Sequence, residues 1–386
     1  MEATMFSSFF DYDENLIKIT NYEVLGKLPD PFVFDDGRRV TKQDEWPARR
    51  AEMYKTVIEL QYGTMPPKPE VFRVEQTYAH SYRIVAGTKE KQVTFLMRIV
   101  EKKAKPTRPR TPVVDGDLCF GYAFSDGFLT QLLDNECAYV TFDRTELAND
   151  IKHQGRRQGP LYEVYPEYTF GALGAWAWGY SRCVDALEVI GKYDMSTLTF
   201  TGHSRGGKTC MLAGALDERA KIINPNDTNA GSCSCYRIHM SAINEDGEEK
   251  RNETLDDIIS RFGYWFGEGM ADYCNREADL PFDCHFLKAM AAPRILLLGE
   301  AASDIWTNPI GSYMTSKATE EVYDFLGCRE NFRWYFRKGP HRQDPADISM
   351  LVENILNLRD GKPLTTERYY RTPFERPELI FDWRKP

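Results

Sequence analysis

The chain has 386 residues, of which 42% are apolar, 13% aromatic and 28% charged; this composition supports a large buried core and excludes long disorder. A formal net charge of −9 opposes a nucleic-acid partner, because phosphate binding needs a basic face. No apolar run reaches transmembrane length, and the start, Met1-Glu-Ala-Thr-Met-Phe, lacks the basic segment and apolar core of a secretory signal, so no membrane partner and a cytoplasmic location are expected.

Along the chain, residues 1–70 are loop-rich, with helix-like spacing of Trp46, Met53, Val57 and Leu60, and read as a wrap over a main sheet. Residues 71–102 alternate apolar and polar positions (Val71, Arg73, Glu75; Val93, Phe95, Met97, Ile99), which predicts an antiparallel hairpin at one sheet edge. Two basic clusters follow. Lys102 to Arg110 is interrupted by prolines and reads as a solvated connection, whereas Lys152-His153-Gln154-Gly155-Arg156-Arg157 reads as a loop near the mouth of a site.

Beyond Pro112, short apolar strands at 137–142, 198–201, 221–223, 294–298 and 332–336 alternate with helical segments at 171–191, 208–219, 312–326 and 346–357. That alternation predicts a mostly parallel, doubly wound sheet. The expected organisation is one domain: the wrap over 1–70, a sheet core over 71–360 and a surface-hugging tail over 361–386. Nine cysteines form an odd set without metal-type spacing, which reads as free thiols in a reducing compartment and predicts no metal site.

The sharpest local signal is Gly202-His203-Ser204-Arg205-Gly206, a G-x-S-x-G match between a strand-like and a helical run. A serine on such a tight turn needs small neighbours, and at a helix start the Arg205 N–H can hold half of an oxyanion. The other half would come from the loop near Phe120-Gly121-Tyr122 or from the Arg205 guanidinium. The context predicts an α/β-hydrolase fold with Ser204 as nucleophile. In that fold the chain order is serine, acid, histidine, and His341, on the loop after strand 332–336, stands where the base belongs. His285 reads as a packed or capping histidine and His203 as filler beside the elbow. Two carboxylates are placed to orient the imidazole: Asp227, after one strand, and Asp304, after the next. Lys208, four residues after Ser204, is expected one turn along the same helix face, which suggests a polar or anionic substrate.

These residues, together with Leu28-Pro-Asp-Pro-Phe32, Glu45-Trp-Pro-Ala-Arg-Arg50, Tyr62-Gly-Thr-Met-Pro-Pro67, Gly171-Ala-Leu-Gly-Ala-Trp-Ala-Trp-Gly179, Arg261-Phe-Gly-Tyr-Trp-Phe266, Ala292-Pro-Arg294 and Asp304-Ile-Trp-Thr-Asn-Pro309, make the chain resemble the glucuronoyl esterases, carbohydrate esterase family 15. The resemblance implies a serine esterase acting, through an acyl-enzyme and without a cofactor, on a small ester or oligosaccharide carrying glucuronic acid. It further implies that Arg205 stabilises the oxyanion, that Lys208 bonds sugar hydroxyls, and that Trp306 and Trp265 line the sugar site. The acid position of the family slightly favours Asp227, with Asp304 retained. The chain departs from the family in carrying His203 and Arg342 where a cysteine pair is often found, and Asp227 where a glutamate is usual. An acetyl-sugar esterase and a binding protein without turnover are the rival expectations.

Overall fold

A computed structural model describes residues 6–116 and 127–386. Twelve strands are described: β1 (Lys18–Val24), β2 (Val71–Tyr78), β3 (Ser81–Gly87), β4 (Gln92–Val100), β5 (Thr111–Asp115), β6 (Cys137–Phe142), β7 (Thr199–His203), β8 (Ile222–Asn226), β9 (Ile238–Ile243), β10 (Glu249–Arg251), β11 (Ile295–Ala301) and β12 (Phe332–Arg337). Nine of them form one sheet in the order β12-β11-β8-β7-β5-β6-β4-β3-β2. Strands β12 to β6 in that order run parallel, while β4, β3 and β2 add antiparallel pairs. The sheet is that of an α/β-hydrolase. The expected edge hairpin over 71–102 is a three-stranded meander.

The parallel strands are buried along their length, which is why they read as apolar runs rather than as alternating patterns. Helices cover both faces. The Ala172–Ile190 helix is buried almost all round and stops at Gly191, whose left-handed φ of 67° suits a glycine. Its Gly179 admits the Phe142 ring; a Cβ there would lie 2.5 Å from it. The Arg205–Leu216, Pro309–Phe325 and Pro345–Asp360 helices start three, three and one residues earlier than their apolar periodicity indicates.

β8 holds Pro225 inside the sheet, where proline cannot donate to a ladder. Side chains on either side of it tie the strand to β11 instead: Asn224 Nδ2 donates to Leu297 O at 3.0 Å and Asn226 Nδ2 to Gly299 O at 3.1 Å. A polar Asn-Pro-Asn strand is thus held between β7 and β11, and its end points at the loops that follow those strands.

A second sheet, β1-β9-β10, was not anticipated. β1 is largely exposed and pairs with β9, which begins 214 residues after β1 ends, so local pattern carries little of its signal. The N-terminal wrap and the C-terminal tail hold each other: Leu28 N donates to Ile380 O, and Trp383 Nε1 to Leu28 O. The tail is more than a surface strap, since Tyr369, Phe374 and Phe381 are buried.

Candidate active site

The turn from β7 into the Arg205–Leu216 helix carries Ser204 at φ 56° and ψ −120°, a conformation that an L-residue rarely holds unless its surroundings impose it. Ser204 N donates to Asn226 O at 2.9 Å, and the turn closes tightly enough that a Cβ on Gly202 would lie 2.4 Å from Gly206 O. The sharp turn lifts the hydroxyl clear of the sheet.

Loops from β11 and β12 bring two partners to it. His341 Nε2 lies 2.9 Å from Ser204 Oγ, and His341 Nδ1 lies 2.5 Å from Asp304 Oδ2. With Nδ1–H donated to the carboxylate, Nε2 is left free to accept the serine proton. Ser303 N donates to Gly339 O, and Glu245 Oε1 accepts from both Ser303 Oγ, at 2.5 Å, and Gly339 N, at 2.9 Å, so the two loops are tied together.

Asp227, favoured from the sequence as the orienting acid, is not bonded to His341. It is fully buried, with Oδ1 accepting from Ala301 N at 2.5 Å and Oδ2 lying 3.4 Å from Arg337 Nη2. Burial pushes its carboxyl well above the usual range, with the Arg337 charge opposing. Both aspartates leave adjacent parallel strands at the same end, and a buried arginine on β12 claims one of them. His203, Asp227 and His341 do bring one potential ligand atom each within 4.8 Å of one another. Both His341 nitrogens already serve Ser204 and Asp304, so a cation there would have to break that relay.

His203 stacks obliquely on His341, with ring centres 4.6 Å apart, and its Nδ1 lies 2.8 Å from Asn226 Oδ1. Burial, with the His341 charge adding to it, holds its imidazole down to about 3, so it stays neutral beside the relay. His285 is packed, as expected, with Nε2 2.9 Å from Pro29 O.

Arg205 reaches sideways. Its Nη1 donates to Asp150 Oδ2 at 2.8 Å, and its guanidinium lies over the Trp265 and Phe262 rings. Asp150 also accepts from Tyr264 Oη and Trp265 Nε1, and from Arg144. Burial would raise the Asp150 carboxyl, but the charges of Arg205 and Arg144 outweigh it and hold it at about 2. Asp150 was missed from the sequence, where it is one more loop aspartate. Trp265, expected to line the sugar site, is instead 3% exposed, stacked on Phe262 at 4.1 Å and bonded to Asp150; it supports Arg205 from below.

Lys208 also departs from expectation. Ser204 is outside the helical conformation, so spacing by four does not place the two side chains on one face. The Lys208 ammonium is buried and gives its bonds to Thr228 O, Asn229 Oδ1 and Ala230 O. Asn229 in turn donates to Glu253 at 2.6 Å. Burial pulls the lysine down and pushes Glu253 up, each resisting the other's shift. Trp306 is half-buried, with the Arg261 guanidinium 4.7 Å and the Arg251 guanidinium 5.5 Å from its ring centre, and its carbonyl accepts from Glu253 N. The second oxyanion segment expected at Phe120-Gly121-Tyr122 lies outside the described residues. The eight described cysteines are free.

A nine-stranded hydrolase sheet with serine, histidine and aspartate meeting at one end defines an α/β-hydrolase. Within that class the chain belongs to the glucuronyl esterase family, since the family model described as glucuronyl esterase, fungi, matches residues 85–327. It is 29% identical over 349 residues to the 4-O-methyl-glucuronoyl methylesterase of Podospora anserina, which covers 88% of this chain and 69% of the relative. Among solved structures it is similar to a carbohydrate esterase family 15 glucuronoyl esterase from Caldicellulosiruptor kristjansonii, with a TM-score of 0.79 at 27% identity over 92% of this chain and 95% of the other. A serine-to-alanine variant of the glucuronoyl esterase from Sporotrichum thermophile, solved with methyl 4-O-methyl-β-D-glucopyranuronate, gives a TM-score of 0.76 at 25% identity over 92% of each chain.

Proposed function

We propose that this protein hydrolyses esters on the carboxyl group of glucuronic acid, of the 4-O-methyl-glucuronoyl type, through an acyl-enzyme on Ser204. The observation that carries the reading is the unbroken relay Ser204 Oγ, His341, Asp304, with contacts of 2.9 and 2.5 Å. Ser204 Oγ attacks the ester carbonyl as its proton passes to His341 Nε2, and Asp304 stabilises the imidazolium. The oxyanion is held by the Arg205 N–H at the helix start and by the Arg205 guanidinium. His341 then protonates the departing alcohol, and a water repeats the sequence in reverse to release the uronic acid.

The uronate assignment is supported by the names and bound ligand of the relatives and by the surroundings of Trp306. Trp306 is a half-buried aromatic ring flanked by the Arg251 and Arg261 cations, polar and aromatic groups of the kind a uronate site combines, and the Lys208, Asn229 and Glu253 network adjoins it through the bond from Glu253 N to its carbonyl. The free thiols support a reducing, cytoplasmic setting, in which imported oligosaccharides or small glucuronate esters would be the substrates. Parallel assays on methyl 4-O-methyl-glucuronate and an acetylated xylo-oligosaccharide test the substrate class. Turnover of the uronate ester is expected; cleavage of the acetyl ester alone would replace this reading with that of an acetyl esterase.

A further inference from the structure

The end of β12 is a costly place for a cation. Arg337 has no solvent exposure, yet it sits in a sheet strand that otherwise reads Phe332-Arg-Trp-Tyr-Phe336. Its guanidinium is used on four sides. Nε donates to Asp347 Oδ2 at 2.7 Å, Nη1 to Lys338 O at 3.1 Å, and Nη2 to Arg342 O and, at 3.4 Å, to Asp227 Oδ2. Lys338 and Arg342 bracket Gly339, Pro340 and His341, so one planar fork holds both feet of the loop that carries the imidazole.

The same cation reaches the acid's strand. Asp227 passes the contact on through Oδ1 to Ala301 N, at the end of β11 and three residues before Asp304. On the outer side, the Glu245 staple across Ser303 and Gly339 closes the pair of loops. No other described side chain bonds both the His341 loop and Asp227.

We propose that Arg337 is a positioning residue for the reaction: it sets the His341 loop against the end of β11, so that the imidazole meets Ser204 and Asp304 together. The proposal rests on the reading of His341 as the general base. Arg337 touches neither substrate nor reacting atoms; it acts through loop geometry, and through giving Asp227 a partner other than the imidazole. Asp304, Asp227, Glu300 and His203 all face His341, and of the three carboxylates Asp227 is the one that Arg337 holds.

Arg337→Lys keeps the charge and loses the fork. Asp227→Asn keeps the bond to Ala301 N and loses the ionic anchor. Each is compared with wild type on the preferred ester, with cooperative melting as the check on folding. Misplacement of a reacting group by about 1 Å costs about 10²-fold in rate, so kcat is expected to fall by about 10- to 100-fold in Arg337→Lys and more mildly in Asp227→Asn, with KM within about twofold. The triple variant Arg337→Met/Asp227→Asn/Asp347→Asn removes the cation together with both buried carboxylates it pairs with, strands neither of them, and is expected to match Arg337→Lys. Labelling of Ser204 by a fluorophosphonate should slow in parallel with kcat, which loss of stability alone would not cause in folded protein. Folded variants that keep kcat within twofold of wild type overturn the proposal. His341→Ala separates this failure from that of the underlying reading: wild-type turnover there removes both, whereas loss of turnover there with unimpaired Arg337 and Asp227 variants removes the proposal alone.

Discussion

The carboxylate of Asp304 reaches His341 from a loop that begins three residues earlier, where Ala301 still pairs in register with Arg337 across β11 and β12. The acid and the base are therefore carried by neighbouring parallel strands, and their separation is set by the sheet spacing and by short loops on either side. That arrangement orders the expected effects of changing each carboxylate.

Asp304→Asn should lower kcat by about 10³- to 10⁴-fold, because the amide can impose the wrong tautomer on the imidazole and cannot stabilise its charged form. Asp227→Asn, whose carboxylate bonds Ala301 N and Arg337 instead, should cost no more than about tenfold. Steady-state kinetics of the two variants decides the matter, and equal losses would count against Asp304 as the acid.

Arg205→Ala should lower kcat by about 10²- to 10³-fold, the size of effect expected for removing one oxyanion donor, while leaving the backbone N–H in place. Asp150→Asn is expected to act in the same direction but more weakly, because the guanidinium loses an ionic tether and keeps its place over Trp265. A kcat unaffected in Arg205→Ala would confine the oxyanion role to the backbone.

Much of this was legible in the sequence, for identifiable reasons. The elbow announces itself because the closely packed turn leaves no room for a side chain at Gly202 or Gly207, and His341 because the fold delivers its base after the last strand. The choice between Asp227 and Asp304 was not legible, since each follows a strand of the same set; the deciding residue, Arg337, is remote in sequence from Asp227. A signal did exist, in that an arginine closing an aromatic strand requires a buried counter-ion. Lys208 was misplaced because helical spacing was extended to Ser204, which is not helical. The β1-β9-β10 sheet was missed because exposed β1 lacks a hydrophobic alternation and its partner is distant.

His285 gives the protein an acid-sensitive stability. Burial holds its imidazole down to about 4, below the unfolded value near 6.5, so between these two values the unfolded chain binds the extra proton and stability rises with pH. Going down through that window should cost on the order of 3 kcal/mol from this residue. Urea unfolding at a series of pH values should therefore show a shallower acid loss in His285→Gln than in wild type. Identical slopes would remove the histidine from the explanation.

Asp283 and Arg237 form a fully buried ion pair at 3.0 Å, and Asp283 also accepts from Tyr236 N and Cys284 N. Asp283→Ala strands the guanidinium without a counter-charge and should cost about 3–5 kcal/mol of stability. Denaturant midpoints test this; a loss below about 1 kcal/mol would mean that the carbonyls of Phe282 and Leu280 suffice to hold the cation.

The most direct measurement is the rate of hydrolysis of benzyl or methyl glucuronate by the wild-type protein and by Ser204→Ala, with p-nitrophenyl acetate alongside. Cleavage of the uronate ester by wild type, reduced by about 10⁵-fold or more in a folded Ser204→Ala variant, is the expected result. Uronate cleavage that survives the substitution, or folded wild-type protein that leaves the uronate ester intact, would contradict a Ser204-dependent glucuronoyl esterase.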